Sequence, residues 1–163
     1  MKDRKIAMLT QGAMIAAIYV VLCMVFAPIS FGEVQIRIAE ALTILPVFTP
    51  AAIPGLFIGC LISNYLGGSI LLDIVFGSIA TLIGALGTRA LRKSPLWIAT
   101  LPPIVANAII VPMVLYFGYA VTLPIPLLVL SIAVGEIVGC GILGTLLGKA
   151  LKKRARDVFR KDE

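Results

Sequence analysis

The chain has 163 residues, 60% of them hydrophobic and only 13% charged, with a net charge of +6 and a mean hydropathy of +1.08. A water-soluble domain carries about 45–50% apolar and about 25% charged residues, and a molecule of this size has too little interior to hide such an apolar excess. The balance excludes a soluble globular domain and a long disordered tail, and it makes lipid the solvent.

The apolar segments predict spans in chain order. The first covers residues 6–27 and ends at Pro28. It is too long for a signal-peptide core and lacks an Ala-x-Ala exit, so it is expected to stay as a span. Residues 29–36 are short and mixed, with a Ser-Phe-Gly turn signal, and predict an extended or hairpin loop. Residues 37–48 read as helical but stop at Pro46, too short to cross a bilayer about 30 Å thick. A run through Pro50, Pro54 and Gly55 leads into a third span over 50–66. The fourth covers 69–91, the fifth 96–117, interrupted by Pro102-Pro103 and Pro112, and the sixth 125–151. A basic tail, 152–163, follows.

Charge parity decides whether residues 37–66 cross once or twice. Basic clusters flank the start (Arg4, Lys5), the middle (Arg89, Arg92, Lys93) and the end, where seven of the fourteen basic residues lie between Lys149 and Lys161. The positive-inside rule wants all three clusters on the cytoplasmic side. Two crossings achieve this, with Arg37 the exception; one crossing does not. The expected fold is therefore all-α: a single-domain, six-helix bundle in the cell membrane with both termini cytoplasmic. The short second span is expected to be tilted, recessed or completed by the Pro-rich linker. The terminal basic cluster is expected to meet lipid headgroups rather than nucleic acid.

Six spans leave no room for an ATPase. The nearest approach to a phosphate-binding loop, Gly144 to Ala150, is one residue short and lacks the Ser/Thr after Lys149. Histidine is absent, and Cys23, Cys60 and Cys140 sit one per hydrophobic segment. No metal, disulfide, cofactor or catalytic set is expected.

Ionisable groups inside a membrane cost a few kcal/mol or more and ask for a reason. In the six-span layout Arg37 and Glu40 open the second span, Asp73 begins the fourth and Glu136 lies near the middle of the sixth. Asn64 and Asn107 add amides on the third and fifth, and Glu33 lies in the outer loop. All fall in the outer half, which predicts a polar cavity open to the exterior and no continuous polar path. Bland roles exist for several. Arg37 and Glu40, at i and i+3, can pair with each other. Asp73 can cap a helix, and Asn107 can bond a carbonyl freed by the prolines. Glu136, in a stretch with Gly135, Gly139 and Gly141, is hardest to dismiss, because its small neighbours admit a helix or a flat ligand. Carboxylates and amides together suit a heterocycle with adjacent N–H donors and an attached amine. Tyr65, Phe76, Tyr116 and Tyr119 could supply ring faces. On the first span Gly12/Ala16 and Ala13/Ala17 form two small-xxx-small pairs, which serve packing inside the bundle or docking of another membrane subunit.

Several segments carry a family resemblance: Phe26-Ala-Pro-Ile-Ser-Phe-Gly32, Arg37-Ile-Ala-Glu-Ala-Leu-Thr43, Phe48-Thr-Pro-Ala-Ala-Ile-Pro-Gly55, Gly59-Cys-Leu-Ile-Ser-Asn64, Leu72-Asp-Ile-Val-Phe-Gly-Ser78, Ala106-Asn-Ala108 and Gly135-Glu136. In this order, across nearly the whole chain, they resemble the substrate-binding S components of energy-coupling factor (ECF) transporters, and within them the QueT family. The resemblance implies a six-helix subunit that binds a vitamin-like solute from outside. It implies a transmembrane T component and two cytoplasmic ATPases as partners, and a queuosine precursor as substrate, such as 7-aminomethyl-7-deazaguanine or queuine. Family members carry an Ala-xxx-Ala docking face on the first helix, which Ala13 and Ala17 match.

The expected site is thus Arg37, Glu40, Asn64, Asp73, Asn107 and Glu136. Glu136 and Asn107 would read a ring edge, Glu40 or Asp73 would balance an amine, and Arg37 would orient a carboxylate. The rival readings are an S component for another vitamin, a self-sufficient proton-coupled permease using Glu136 and Asp73, and a structural subunit without a ligand.

Overall fold

A computed structural model describes residues 2–30 and 37–159. Among the described residues every regular element is helical. Helix α1 runs Lys2–Val25 and a single turn, α2, Ala27–Ser30. A 3₁₀ helix follows at Ile38–Val47, then α3 (Ala52–Leu66), α4 (Leu71–Ala90), α5 (Leu96–Ala99), α6 (Leu101–Gly118) and α7 (Ile125–Glu136). A π-helical segment, Ile137–Leu143, joins α7 to α8 (Gly144–Phe159). Four runs are long and apolar enough to cross a membrane: Asp3–Val25, Leu71–Ala90, Leu96–Gly118 and Ile125–Lys152. Ile38–Val47 and Ala52–Leu66 are shorter apolar helices.

Two expectations change near the start. The first helix ends at Val25, and Pro28 sits inside α2 instead of terminating the span, so residues 29–30 are helical where a loop was expected. The remainder of that loop, with Glu33, lies outside the described residues.

The 3₁₀ helix is the hub of the bundle. It packs against α1, α3, α4, α5, the π segment and α8, and Ala39, Glu40, Leu42, Thr43, Ile44, Leu45 and Pro46 are all buried. Its i to i−3 pattern is visible at both ends, where Glu40 N–H donates to the Arg37 carbonyl (3.0 Å) and Phe48 N–H to the Leu45 carbonyl (2.9 Å). The sequence predicted a helix that stops at Pro46; the 3₁₀ helix runs through it to Val47. Ten residues rise about 20 Å in this form against about 15 Å in an α-helix, so the winding lengthens the shortest segment. The turn that follows is buried, and Thr49 Oγ1 donates to Gln11 Oε1 (3.0 Å), several residues into α1. This hairpin is recessed relative to the end of α1.

Glycines set the closest helix contacts. A Cβ on Gly55 would lie 2.6 Å from the Gly12 carbonyl oxygen, and one on Gly59 would lie 2.9 Å from Tyr19 Cβ and 3.1 Å from Ala16. Gly12 and Ala16 are accordingly buried against α3. On α4, Gly84 and Gly87 receive Pro103 and Pro102 of α6, at 2.7 and 2.4 Å from their would-be Cβ positions. The fifth segment breaks at Thr100, between α5 and α6, just before the proline pair, and Pro112 lies inside α6. The pair occupies the first turn of α6, where a missing N–H costs no helix bond.

The short connections 67–70 and 119–124 lie together at one end, where the Ile70 N–H donates to the Tyr119 hydroxyl (3.2 Å). The opposite end is tied by Arg89, whose Nη1 donates to the carbonyls of Pro46 (3.1 Å) and Val47 (3.4 Å), and by Thr88 Oγ1, which donates to the Ala99 carbonyl (2.9 Å).

Candidate functional site

The six polar residues singled out in the sequence come from five different elements or their boundaries, and all are buried. Asp73 lies in the first turn of α4, beside the end that carries connections 67–70 and 119–124. Asn107 and Glu136 lie eleven residues along α6 and α7 from that same end, about 16 Å deep at 1.5 Å per residue. Arg37 precedes the 3₁₀ helix and Glu40 falls in its first turn.

The deep part centres on Glu40, Glu136 and Cys140, whose ligand atoms lie within 4.8 Å of one another. The Tyr19 hydroxyl donates to Glu40 Oε1 at 2.5 Å. The Cys140 thiol donates to Glu136 Oε2 at 3.0 Å, lies 3.9 Å from Glu40 Oε2, and accepts from Thr43 Oγ1 at 3.3 Å. Two carboxylates and a thiol have the donor spacing of a metal cage, but here they are joined by hydrogen bonds among themselves and to Tyr19 and Thr43. Asn107 interacts with Glu136, and its Nδ2 has no hydrogen-bond partner among the described residues.

The shallow part centres on Asp73 and Asn64. Asn64 Nδ2 donates to the Asp73 backbone carbonyl at 3.4 Å and approaches Cys60 Sγ at 3.6 Å, while Cys60 Sγ also accepts from Thr81 Oγ1 at 3.3 Å. Asp73 Oδ2 accepts from the Tyr119 hydroxyl at 3.2 Å. Asp73 Oδ1 and Asn64 Oδ1 are buried with no partner among the described residues. Gly77 makes the room: Asn64 Nδ2 and Asp73 Oδ1 both lie 3.1 Å from where its Cβ would be. Arg37 links the two parts, since its guanidinium acts electrostatically on Tyr19, Cys60, Asp73 and Glu40, and Glu136 also feels it.

The π segment explains how the last span reaches the hub. π turns inside α-helices are frequent at functional sites. This one puts Gly139 against the Arg37 carbonyl oxygen, 2.8 Å from a would-be Cβ. Only a residue without a side chain permits that approach, which sets Glu136 and Cys140 beside Glu40.

The structure rearranges some of the bland roles. Asp73 does not cap α4: Ile70 is the N-cap, with no side-chain capping bond. Of the four aromatic residues offered as ring faces, Tyr65, Phe76, Tyr116 and Tyr119 are all at least 40% exposed, and Tyr119 reaches the site by its hydroxyl edge. Sequence reasoning passed over Tyr19 and Thr43, and considered Cys60 and Cys140 only as metal or disulfide candidates. Tyr19 carried a usable signal, because a tyrosine in mid-span needs a partner for its hydroxyl.

The two small-residue pairs of α1 divide. Gly12 and Ala16 are buried against α3, whereas Ala13 and Ala17 are exposed; all four line an apolar groove of about 570 Å³ together with Leu9, Val20, Pro54 and Ile58.

Comparison with known proteins supplies a family. Residues 9–153 match the family described as QueT transporter. The chain is also 35% identical over 85 residues to the queuosine precursor transporter QueT of Lactococcus lactis subsp. cremoris (strain MG1363), a match covering 51% of this chain and 50% of that protein. The matched part therefore spans about half the length of this curated relative. No solved structure matches the chain. A helical bundle with apolar spans and buried polar residues agrees with a match running over nearly its whole length, and the chain belongs to the QueT transporter family.

Proposed function

We propose that the protein is the membrane-embedded substrate-binding subunit of an ECF-type importer, taking up a queuosine precursor such as 7-aminomethyl-7-deazaguanine or queuine. The observation that carries this reading is the burial of Arg37, Glu40, Asn64, Asp73, Asn107 and Glu136, a polar set that runs from one end of the bundle to about 16 Å deep. Membership of a transporter family and the name of the Lactococcus relative support it.

In this reading the two short helices complete six crossings, both termini are cytoplasmic and the end with connections 67–70 and 119–124 faces outside. Three basic clusters then share the inner side. A flat heterocycle enters from outside. Glu136 accepts from adjacent ring N–H groups and Asn107 offers a donor and an acceptor to the same edge. The buried carboxylates balance an attached amine, and Arg37 holds the acidic side chains in place.

In this reading the subunit docks a transmembrane T component that works with two cytoplasmic ATPases. Ala13 and Ala17, exposed on an apolar groove, give that partner helix a close approach. Small molecules that co-purify with the protein, identified by mass spectrometry, test the reading. A 7-deazaguanine is expected. Another vitamin would replace the substrate and keep the subunit role. Uptake by the isolated protein, driven by a pH gradient without ATP, would replace the role with a self-sufficient permease.

A further inference from the structure

Among the described residues the site buries three carboxyl side chains, Glu40, Asp73 and Glu136, and one guanidinium, Arg37. A buried acceptor left without a partner is costly, so an occupant that brings donors is favoured. The hydrogen bonds say where those donors belong. Glu40 receives Tyr19 on one oxygen and has Cys140 beside the other, and Glu136 receives Cys140. Asp73 has one oxygen held by Tyr119 and the other open, and Asn64 Oδ1, from the neighbouring helix, is open as well. Asp73 and Asn64 are respectively 3% and 1% exposed, so leaving these acceptors unmet would cost the desolvation of each. Two unpartnered acceptors on neighbouring helices, one of them a carboxylate oxygen 3.1 Å from the would-be Cβ of Gly77, form a seat for an N–H donor that carries charge, which is an ammonium group.

We infer that Asp73 and Asn64 form an ammonium seat that makes the protein select the amine-bearing 7-deazaguanines over neutral ones. This rests on the function proposed above and assigns to Asp73 the amine that Glu40 or Asp73 could have taken. The ring edge then lies deeper, at Glu136 and Asn107, and the aminomethyl arm points back toward the rim of the site. Tyr119 orients the seat by holding Asp73 Oδ2, and Gly77 keeps it open.

The test compares two ligands on purified protein in detergent by titration calorimetry. One is 7-aminomethyl-7-deazaguanine. The other is the same ring with a neutral nitrile in place of the aminomethyl group. The parent protein is expected to bind the amine at least tenfold more tightly. Asp73→Asn, nearly the same in shape and neutral, is expected to lose at least tenfold for the amine and so to lose the preference over the nitrile. Asp73→Ser is read in the same way where Asp73→Asn does not elute as a single species. Equal binding of both ligands by the parent overturns the seat while leaving the transport reading intact. A preference retained in the variants places the amine elsewhere and also overturns the seat alone. Binding of neither ligand by the parent overturns both.

Discussion

The Tyr19 hydroxyl donates a 2.5 Å hydrogen bond to Glu40 Oε1 across twenty-one residues of chain, and both side chains are essentially fully buried. The bond joins α1 to the central 3₁₀ helix at the level of the site. It also puts a structural constraint on the same helix that presents Ala13 and Ala17 outward. Removing the hydroxyl leaves a buried carboxylate oxygen unmet, at a cost of about 1–3 kcal/mol. Tyr19→Phe is therefore expected to lower the thermal midpoint in detergent. An unchanged midpoint would show that the bond contributes nothing to stability.

Glu136 carries the ring-edge assignment. A hydrogen bond to a charged group is worth about 1.5–3 kcal/mol, or roughly ten- to a hundredfold in affinity. Glu136→Gln keeps the shape and replaces an acceptor oxygen by a donor. Its affinity for 7-aminomethyl-7-deazaguanine is expected to fall by that factor in calorimetry. Parental affinity in the variant would remove Glu136 from the site.

The division of the small-residue pairs predicts opposite results for neighbouring positions. Gly55→Val puts a Cβ where the Gly12 carbonyl oxygen lies at 2.6 Å, and overpacking of this kind costs about 1–3 kcal/mol. Ala13→Val, on the exposed stripe, should shift stability by less than about 0.5 kcal/mol. Thermal unfolding of both variants decides whether the two faces of α1 are as different as their contacts.

Ala13→Trp addresses the docking role directly. The bulky ring should fill the groove beside Ala17, Pro54 and Ile58 and prevent close approach of a partner helix. Co-purification with a T component is expected to be lost while ligand binding is kept. Intact co-purification would assign the groove to lipid.

Arg89 caps the far end of the 3₁₀ helix through the Pro46 and Val47 carbonyls. Arg89→Met keeps much of the aliphatic stem and removes the donors. A loss of about 1.5–3 kcal/mol is expected for these charge-assisted bonds. Denaturation of Arg89→Met beside Arg89→Lys, which keeps one charged donor, measures how much of the stabilisation is the cap. Equal stability of all three proteins would make Arg89 a topogenic charge only.

The class of the molecule and its polar residues were legible in the sequence, because both are local properties. A stretch such as residues 41–72 has no charge to offer water whatever surrounds it, and a carboxylate at position 136 in such a setting calls for a partner wherever the helix packs. The resemblance text, from Phe26 to Glu136, was legible for the same reason. Pro46 misled because its effect depends on its surroundings: it donates no rung to the ladder, yet the 3₁₀ helix continues past it to Val47.

Partner choice was decided by the tertiary structure alone. Nothing near Cys140 in sequence announces Thr43 or Glu40, about a hundred residues away, and Gly139 reads as flexibility until the Arg37 carbonyl is found against it. Gly12 and Ala13 are adjacent and chemically alike, and only the position of α3 turns one inward and leaves the other bare. Hydropathy follows from composition along a segment, so the chain by itself determined a lipid-embedded helical protein with a handful of costly polar groups. Which of those groups meet, and which acceptors stay without a partner among the described residues, depends on how separate helices pack, and close approach at Gly55, Gly59, Gly77 and Gly139 determined it.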